Sequence, residues 1–234
     1  YKYNNLVNHL MENAIKDLLQ KFSNDEDEMP HFPKEGYTPI KISKENFHEI
    51  RKYDSSKKIA FIDAGNQEVC GAHNFSLQMI RAYYCIYQNN KRIEKETYEA
   101  YALISAVKKE KSLYFDVKFF FKGKPLKVGS ISFDAYDQTL STGKRMVKVE
   151  AIGDEVRKFT ELTLAKNLCE KVRGGFIILD TTLEATVNGE KKLFDSLFEV
   201  SKKNDVAIAA LSKTTSLFTE SGNSVIAILN STSP

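Results

Sequence analysis

The sequence predicts an α/β fold built on one mixed sheet, and three observations predict it. Two short apolar runs, KKIAFID at 57–63 and GGFIILD at 174–180, each end in an aspartate. They read as strands buried on both faces. The second half of the chain alternates helical and strand patterns: helix 155–172, strand 174–180, helix 191–203, strand 205–212. That order implies parallel strands with helical crossovers. The first half holds strand-like runs with turn chemistry between them, which implies hairpins.

Taken in order, residues 4–22 read as an amphipathic helix, because Leu6, Leu10, Ala14, Leu18 and Leu19 recur at helical spacing. The acidic, proline-containing stretch 23–38 reads as a loop. Residues 1–40 thus make an N-terminal helix and linker, and 41–234 the core. After the 57–63 strand, residues 76–87 read as a second strand. Residues 96–107 fit strand or helix equally. LYFDVKFFF at 113–121 reads as a strand, GKP at 123–125 supplies a turn, and 127–136 pairs back as a hairpin. Asp154 is the expected N-cap of the 155–172 helix and Gly174 its terminating glycine. NSVIAILN at 223–230 reads as a last strand.

A chain of 234 residues has room for one substantial core. Its 42% apolar and 28% charged content is that of a soluble globular protein. No apolar run approaches the ~18 residues that a membrane span needs. The N-terminus carries Glu12 and Asp17 and is not a signal peptide, so a cytoplasmic address is expected. Cys70, Cys85 and Cys169 fit neither a disulfide framework nor a zinc pattern and read as buried free thiols. A net charge of +3 permits a polyanionic partner only where lysines cluster.

Asp63 and Asp180 sit at the C-terminal ends of their strands, the edge where open α/β sheets bind ligands. Each also fits a turn or helix cap. On the 155–172 helix, Glu161 falls inside the apolar arc between Leu168 and Val172, and Arg157 lies one turn earlier. A charge on a core-facing stripe needs a partner or a metal, so Glu161 is either a ligand or half of a buried Glu161–Arg157 pair. Glu161 lies roughly 16 Å from the helix end at ~1.5 Å per residue. The following strand returns about the same distance to Asp180 at ~3.3 Å per residue. If the 57–63 strand lies parallel beside it, Asp63 joins the cluster. Carboxylates are hard ligands suited to magnesium or manganese, and two such ions activate water and stabilise a leaving oxygen in phosphodiester cleavage.

Lys213 and Thr214 follow the 205–212 strand at the same expected edge. Lys213 is either a phosphate contact or a surface lysine, and Arg157 either touches phosphate or pairs with Glu161. His73 reads as a surface residue and Asp134 as solvent-facing. Glu150 is an alternative to Glu161 without the helix argument, and no pattern fixes the direction of Asn66 or Glu68. Lysines at 108–111, 122–127 and 144–148 interleave with Tyr114, Phe115 and Phe119 to Phe121. Single-strand binders combine such charge with stacking aromatics, although most of these rings also fit the core.

KIAFIDAGNQEV around Asp63, RKFTELTLAKNLCEKV around Glu161, GGFIILDTTLEA around Asp180 and AIAALSKTTSL around Lys213 together resemble, in order and spacing, the NurA nuclease family. The resemblance covers residues 57–217. It implies an RNase H-like fold and a two-metal site, manganese-favouring, with Asp63, Glu161 and Asp180 as ligands. It implies a homodimer that cuts single-stranded DNA, often 5′ to 3′, and double-stranded DNA ends, together with a hexameric HerA-type translocase in archaeal DNA end processing and repair. Thr181-Thr182 stands where the family has a Gly-Ser-like pair, and Ala64 where glycine is common. The family's further active-site histidine or acid comes from a C-terminal region expected beyond Pro234, so no fourth ligand is assigned. The competing expectations are a nucleic-acid-binding module with an incomplete site, a scaffold subunit docked on a translocase, and an RNase H-like nuclease of another branch such as the PIWI-type cores.

Overall fold

The computed structural model describes residues 11–17, 28–32, 36–50, 55–141, 145–212 and 215–233. The chain divides into two compact units: residues 54–213 form one, and residues 1–53 with 214–234 form the other.

The larger unit is an α/β structure on one seven-stranded mixed sheet. Its strands are β1 (Ile59–Ala72), β2 (Phe75–Gln88), β3 (Lys91–Lys109), β4 (Ser112–Lys122), β5 (Ile131–Asp134), β6 (Phe176–Leu179) and β7 (Ala207–Ala210), in the spatial order β5-β4-β3-β2-β1-β6-β7. Strands β1 to β5 pair antiparallel, whereas β6 is parallel to β1 and β7 to β6. Early hairpins and late parallel strands are thus where the sequence put them, and the order is compatible with an RNase H-like core. Residues 96–107 resolve as strand. The β2–β3 hairpin turns on Asn89 (φ 50°) and Asn90 (φ 57°), the paired positive φ of a two-residue type I′ turn.

Helices α1 (Ile152–Leu168) and α2 (Glu190–Lys203) pack on each other and on one face of the sheet. Leu162, Ala165, Leu168 and Leu197 meet Ala60, Ile62, Ala82, Tyr84 and Ile86 there. Val156 and Phe159 meet Ile80, Ala102, Ile104 and Phe115 in a second cluster. Helix α1 starts earlier than expected, at Ile152, with Ala151 at the N-cap position. Asp154 instead lies in the first turn, where a carboxylate favours the helix dipole. The helix ends at Leu168, and turns lead to Gly174, which has φ +72°. Gly175 is fixed by a close approach: a Cβ there would lie 2.2 Å from the Lys58 carbonyl oxygen.

One strand boundary differs in a way that matters. Asp63 was expected to end its strand, yet β1 runs on to Ala72. The parallel pairing with β6 stops at Ile62–Leu179, but the antiparallel pairing with β2 continues to Ala72–Phe75, past a register shift between Glu68 and Cys70. Residues 64–72 lack an apolar run because this arm is mostly exposed, so the sequence hides its strand character.

In the smaller unit, residues 11–17 are helical, as expected for that part of 4–22; the rest of that prediction lies outside the described residues. Ile42, Val225 and Ile228 form a small core. The expected strand at 223–230 is instead a helix, α3 (Val225–Thr232). Just before it, the described residues form only the isolated bridges Pro30–Thr219 and Phe218–Ser224, and a segment without a strand partner satisfies its backbone within a helix. Val225, Ile228 and Leu229 then form one apolar stripe. Glu28 is buried and accepts from Asn223 Nδ2 at 2.7 Å and from the Ser221 hydroxyl. Burial pushes its carboxyl up, but the hydroxyl and amide donors outweigh it and hold the group below the usual range. Among the described residues no helix is long and apolar enough to cross a membrane.

Candidate functional site

Asp63 and Asp180 stand side by side. Each is one residue beyond the last paired position of the parallel ladder, Ile62 and Leu179. Two parallel strands that begin in register deliver residues at equal distance to the same edge, so the register itself makes the pair. Both aspartates line a cavity of about 270 Å³ together with Phe61, Tyr83, Ile178 and Leu211. Tyr83 is the direct cross-strand neighbour of Asp63. Burial first, then Cys85, pushes the Tyr83 phenol up, and Arg92 opposes them.

Glu161 arrives from the helix-covered face. It is 1% exposed. Arg157 donates from Nη1 to its Oε1 at 2.7 Å, across one helical turn. Its Oε2 is buried with no hydrogen-bond partner. Burial drives its carboxyl up to about 7; Arg157 opposes this, the charge of Asp63 adds to it, and the Ala64 N–H opposes it. Burial wins because Arg157 is itself partly in solvent, with its side chain 28% exposed. The ion-pair reading of Glu161 therefore holds, and the residue still lies within electrostatic reach of Asp63.

What the arrangement offers a metal follows from these placements. Asp63 follows Phe61 on the face opposite the helices, whereas Glu161 approaches from beneath them. Among the described residues no three His, Cys, Asp or Glu side chains are gathered closely enough to enclose an ion. The expected three-carboxylate shell is therefore a two-aspartate edge with a glutamate behind it. Magnesium-class ions fit that set, since they keep several waters and take one or two protein carboxylates plus substrate oxygens. The orphaned Oε2 of Glu161 is the kind of buried acceptor that a cation would compensate.

A polar track beside this site escaped the sequence reading. Gly153, Arg157 and Glu161 recur every four residues on one face of α1. Beneath them, Asn66 donates to Gln78 Oε1 at 3.3 Å, Gln78 to Ser76 Oγ at 2.8 Å, and Ser76 to Glu68 Oε2 at 2.6 Å. Ser76 and Gln78 are fully buried. Gly153 admits no side chain, because a Cβ would lie 2.7 Å from Gln78. The signal was present: Ser76 and Gln78 are polar residues in phase with the apolar Ile80, Ala82 and Tyr84.

The loop after Asp180 is pinned as well. Glu190 Oε2 caps the Thr186 and Val187 N–H groups at 2.5 and 3.0 Å, Lys158 lies 2.6 Å from Glu190 Oε1, and Asn188 donates to Asp137 at 2.9 Å. Burial and then the neighbouring Glu190 raise the Glu155 carboxyl.

Other expected residues fall as follows. Lys213 and Thr214 lie outside the described residues. His73 sits exposed in the β1–β2 turn and Asp134 is exposed on β5. Glu150 is exposed in a short 3₁₀ turn before α1. The cysteines are free, but only Cys169 is buried; Cys85 is half-buried and Cys70 exposed on the arm of β1, where no core covers it. Of the aromatic run, Phe115 is core, Phe119 and Phe121 stack at 5.5 Å on the helix-side face, and Phe120 is exposed on the other. The chain matches no family model, no curated protein and no solved structure.

Proposed function

We propose that the chain is a metal-dependent nuclease of NurA type that hydrolyses DNA phosphodiester bonds at the Asp63–Asp180 edge. The observation that carries this reading is the parallel register that aligns the two aspartates on one cavity, with the orphaned carboxylate oxygen of Glu161 close behind. Asp63 and Asp180 would hold Mn²⁺ or Mg²⁺, and Glu161 would join through Oε2. When bound, the ions supply Lewis acidity to the phosphodiester. Arg157 holds Glu161 in place and keeps part of its charge balanced. Phe61, Ile178 and Leu211 give the open cavity an apolar lining beside the two aspartates. Lys213, which follows β7, is the proposed phosphate contact. A homodimer and a HerA-type translocase as partners, and work at DNA ends, belong to the same proposal.

The experiment is digestion of end-labelled single-stranded DNA with and without Mn²⁺. Asp63→Ala and Asp180→Ala are each expected to cut the rate on the order of a thousandfold, as loss of one member of a catalytic unit does. Digestion that persists in chelator, or in both variants, contradicts the reading. A second reading, a nucleic-acid-binding module with an incomplete site, is favoured by the absence of a three-ligand group among the described residues. It predicts DNA binding with no cutting under any metal.

A further inference from the structure

The face of the sheet opposite α1 and α2 presents large aromatic side chains to solvent. Phe61 is 43% exposed, and Tyr101 and Phe120 are each 48% exposed. Tyr101 and Phe120 are direct cross-strand partners on β3 and β4, and Met79 on β2 completes their row. The next row toward the aspartates is charged: Arg81 and Lys122 both reach Glu99, at 2.6 and 3.4 Å. One row further, Tyr83 lies beside Asp63. The Lys118 ammonium lies 5.2 Å from the centre of the Phe120 ring, so stacking surface and positive charge share one spot.

We infer that this open face is a binding platform for single-stranded nucleic acid, which stacks bases on Tyr101 and Phe120 and leads the strand past Arg81 and Lys122 to the aspartate edge. The inference rests in part on the nuclease reading, for which it supplies the substrate track. Every base has a π-face, so aromatic stacking beside basic side chains binds single strands without sequence preference. With strands ~4.8 Å apart and alternate residues ~7 Å apart, the stacking row lies roughly 15–20 Å from Asp63. That lies inside the footprint of about 4–16 nucleotides that single-strand-binding folds cover. A second protein copy fits this face less well. Interface cores are depleted of charge, and here two cations and one carboxylate cross the middle of the aromatic surface.

The test is fluorescence anisotropy of the whole chain with a labelled 20-nucleotide oligothymidine in chelator, which prevents cutting. Tyr101→Ala and Phe120→Ala are each expected to raise Kd by roughly five- to a hundredfold, the range for one base–aromatic stack. Phe120→Leu, which keeps apolar bulk and loses the flat ring, is expected to do nearly as much. Lys118→Ala is expected to lower the salt dependence of log K by about one phosphate contact. The exposed positions should leave the melting temperature unchanged. Unaltered binding in both aromatic variants overturns the platform, as does a dimer in light scattering that Phe120→Leu tolerates and Phe120→Ser dissolves. The two proposals fail separately. Ring-dependent binding without any metal-dependent cutting keeps the platform and sinks the nuclease. Cutting that needs Asp63 but ignores Tyr101 and Phe120 does the reverse.

Discussion

Along β2, Ile80, Ala82, Tyr84 and Ile86 are buried beneath α1 and α2, while Arg81, Tyr83 and Cys85, one residue out of phase, lie on the open face. Both faces hold polar groups, and they treat them differently. On the covered face most polar groups are tied: the Tyr84 hydroxyl shares its one proton between Glu94 at 2.5 Å and Glu96 at 3.1 Å, Lys171 donates to Tyr84 at 2.8 Å and pairs with Glu94, and Gln78 bridges Asn66 and Ser76. Burial and these carboxylates push the Tyr84 phenol well above its usual range, and burial with Glu96 pushes Tyr98 up to about 12. Glu161 breaks the pattern, with a buried oxygen left bare beside Asp63. On the open face the ion pairs are exposed and contribute little to stability. The covered face holds the fold, and the proposed chemistry belongs where β1 outruns β6 and the two faces meet.

The largest test of that contrast is Gly175→Ala. A Cβ placed 2.2 Å from the Lys58 carbonyl must push β6 away from β1, at a cost of about 3 kcal/mol or more. Chemical denaturation would read it, and the Asp63–Asp180 register should fail with it. Next is Arg157→Ala, which strips Glu161 of its partner. Because Arg157 is partly exposed, the loss at pH 8 should be about 2 kcal/mol rather than the full 3–5 of a buried pair. It should shrink toward pH 5, where Glu161 takes up a proton. Denaturation curves at the two pH values that coincide would remove Glu161 as the cause.

Gln78→Ala should cost about 1–3 kcal/mol by taking the acceptor from the Asn66 amide and leaving Ser76 with Glu68 alone, and its melting temperature would report this. Glu161→Gln sharpens the comparison through pH. The carboxyl is raised to about 7 when folded, against ~4.3 unfolded. Its contribution to stability is complete below the unfolded value and is lost as pH rises through about 7. Metal-free protein should therefore lose a few kcal/mol between about pH 4.5 and 7, and Glu161→Gln should flatten that slope. The smallest effect belongs to the open face. Arg81→Ala should change stability by less than ~0.5 kcal/mol, and a larger drop would mean that this face carries structural load.

Much of the arrangement was legible in the chain. The apolar runs before Asp63 and Asp180, the α1 stripe and the hairpin turns are local patterns, and hydrophobic periodicity follows directly from the geometry of helix and strand. So is the i, i+4 spacing of Arg157 and Glu161, which offered the pair as one of two readings of Glu161. The arm 64–72 was not legible, because a strand held mainly by pairing with a neighbour needs no apolar signature of its own. Residues 223–230 misled for the converse reason: a β-branched apolar run fits a strand, but whether a partner lies alongside is not written in the run.

By itself the sequence determined that Glu161 carries charge into apolar surroundings and which segments of the second half alternate helix and strand, but not that Glu28 and Glu190 are buried too. Only the tertiary structure decided that Asp63 and Asp180 align in register, that Glu161 meets β1 from the opposite face, and that Phe120 points to solvent while Phe119 and Phe121 do not. Those outcomes depend on strand pairing and on which face the helices cover. Both are contacts between segments far apart in the chain, beyond the reach of any local pattern.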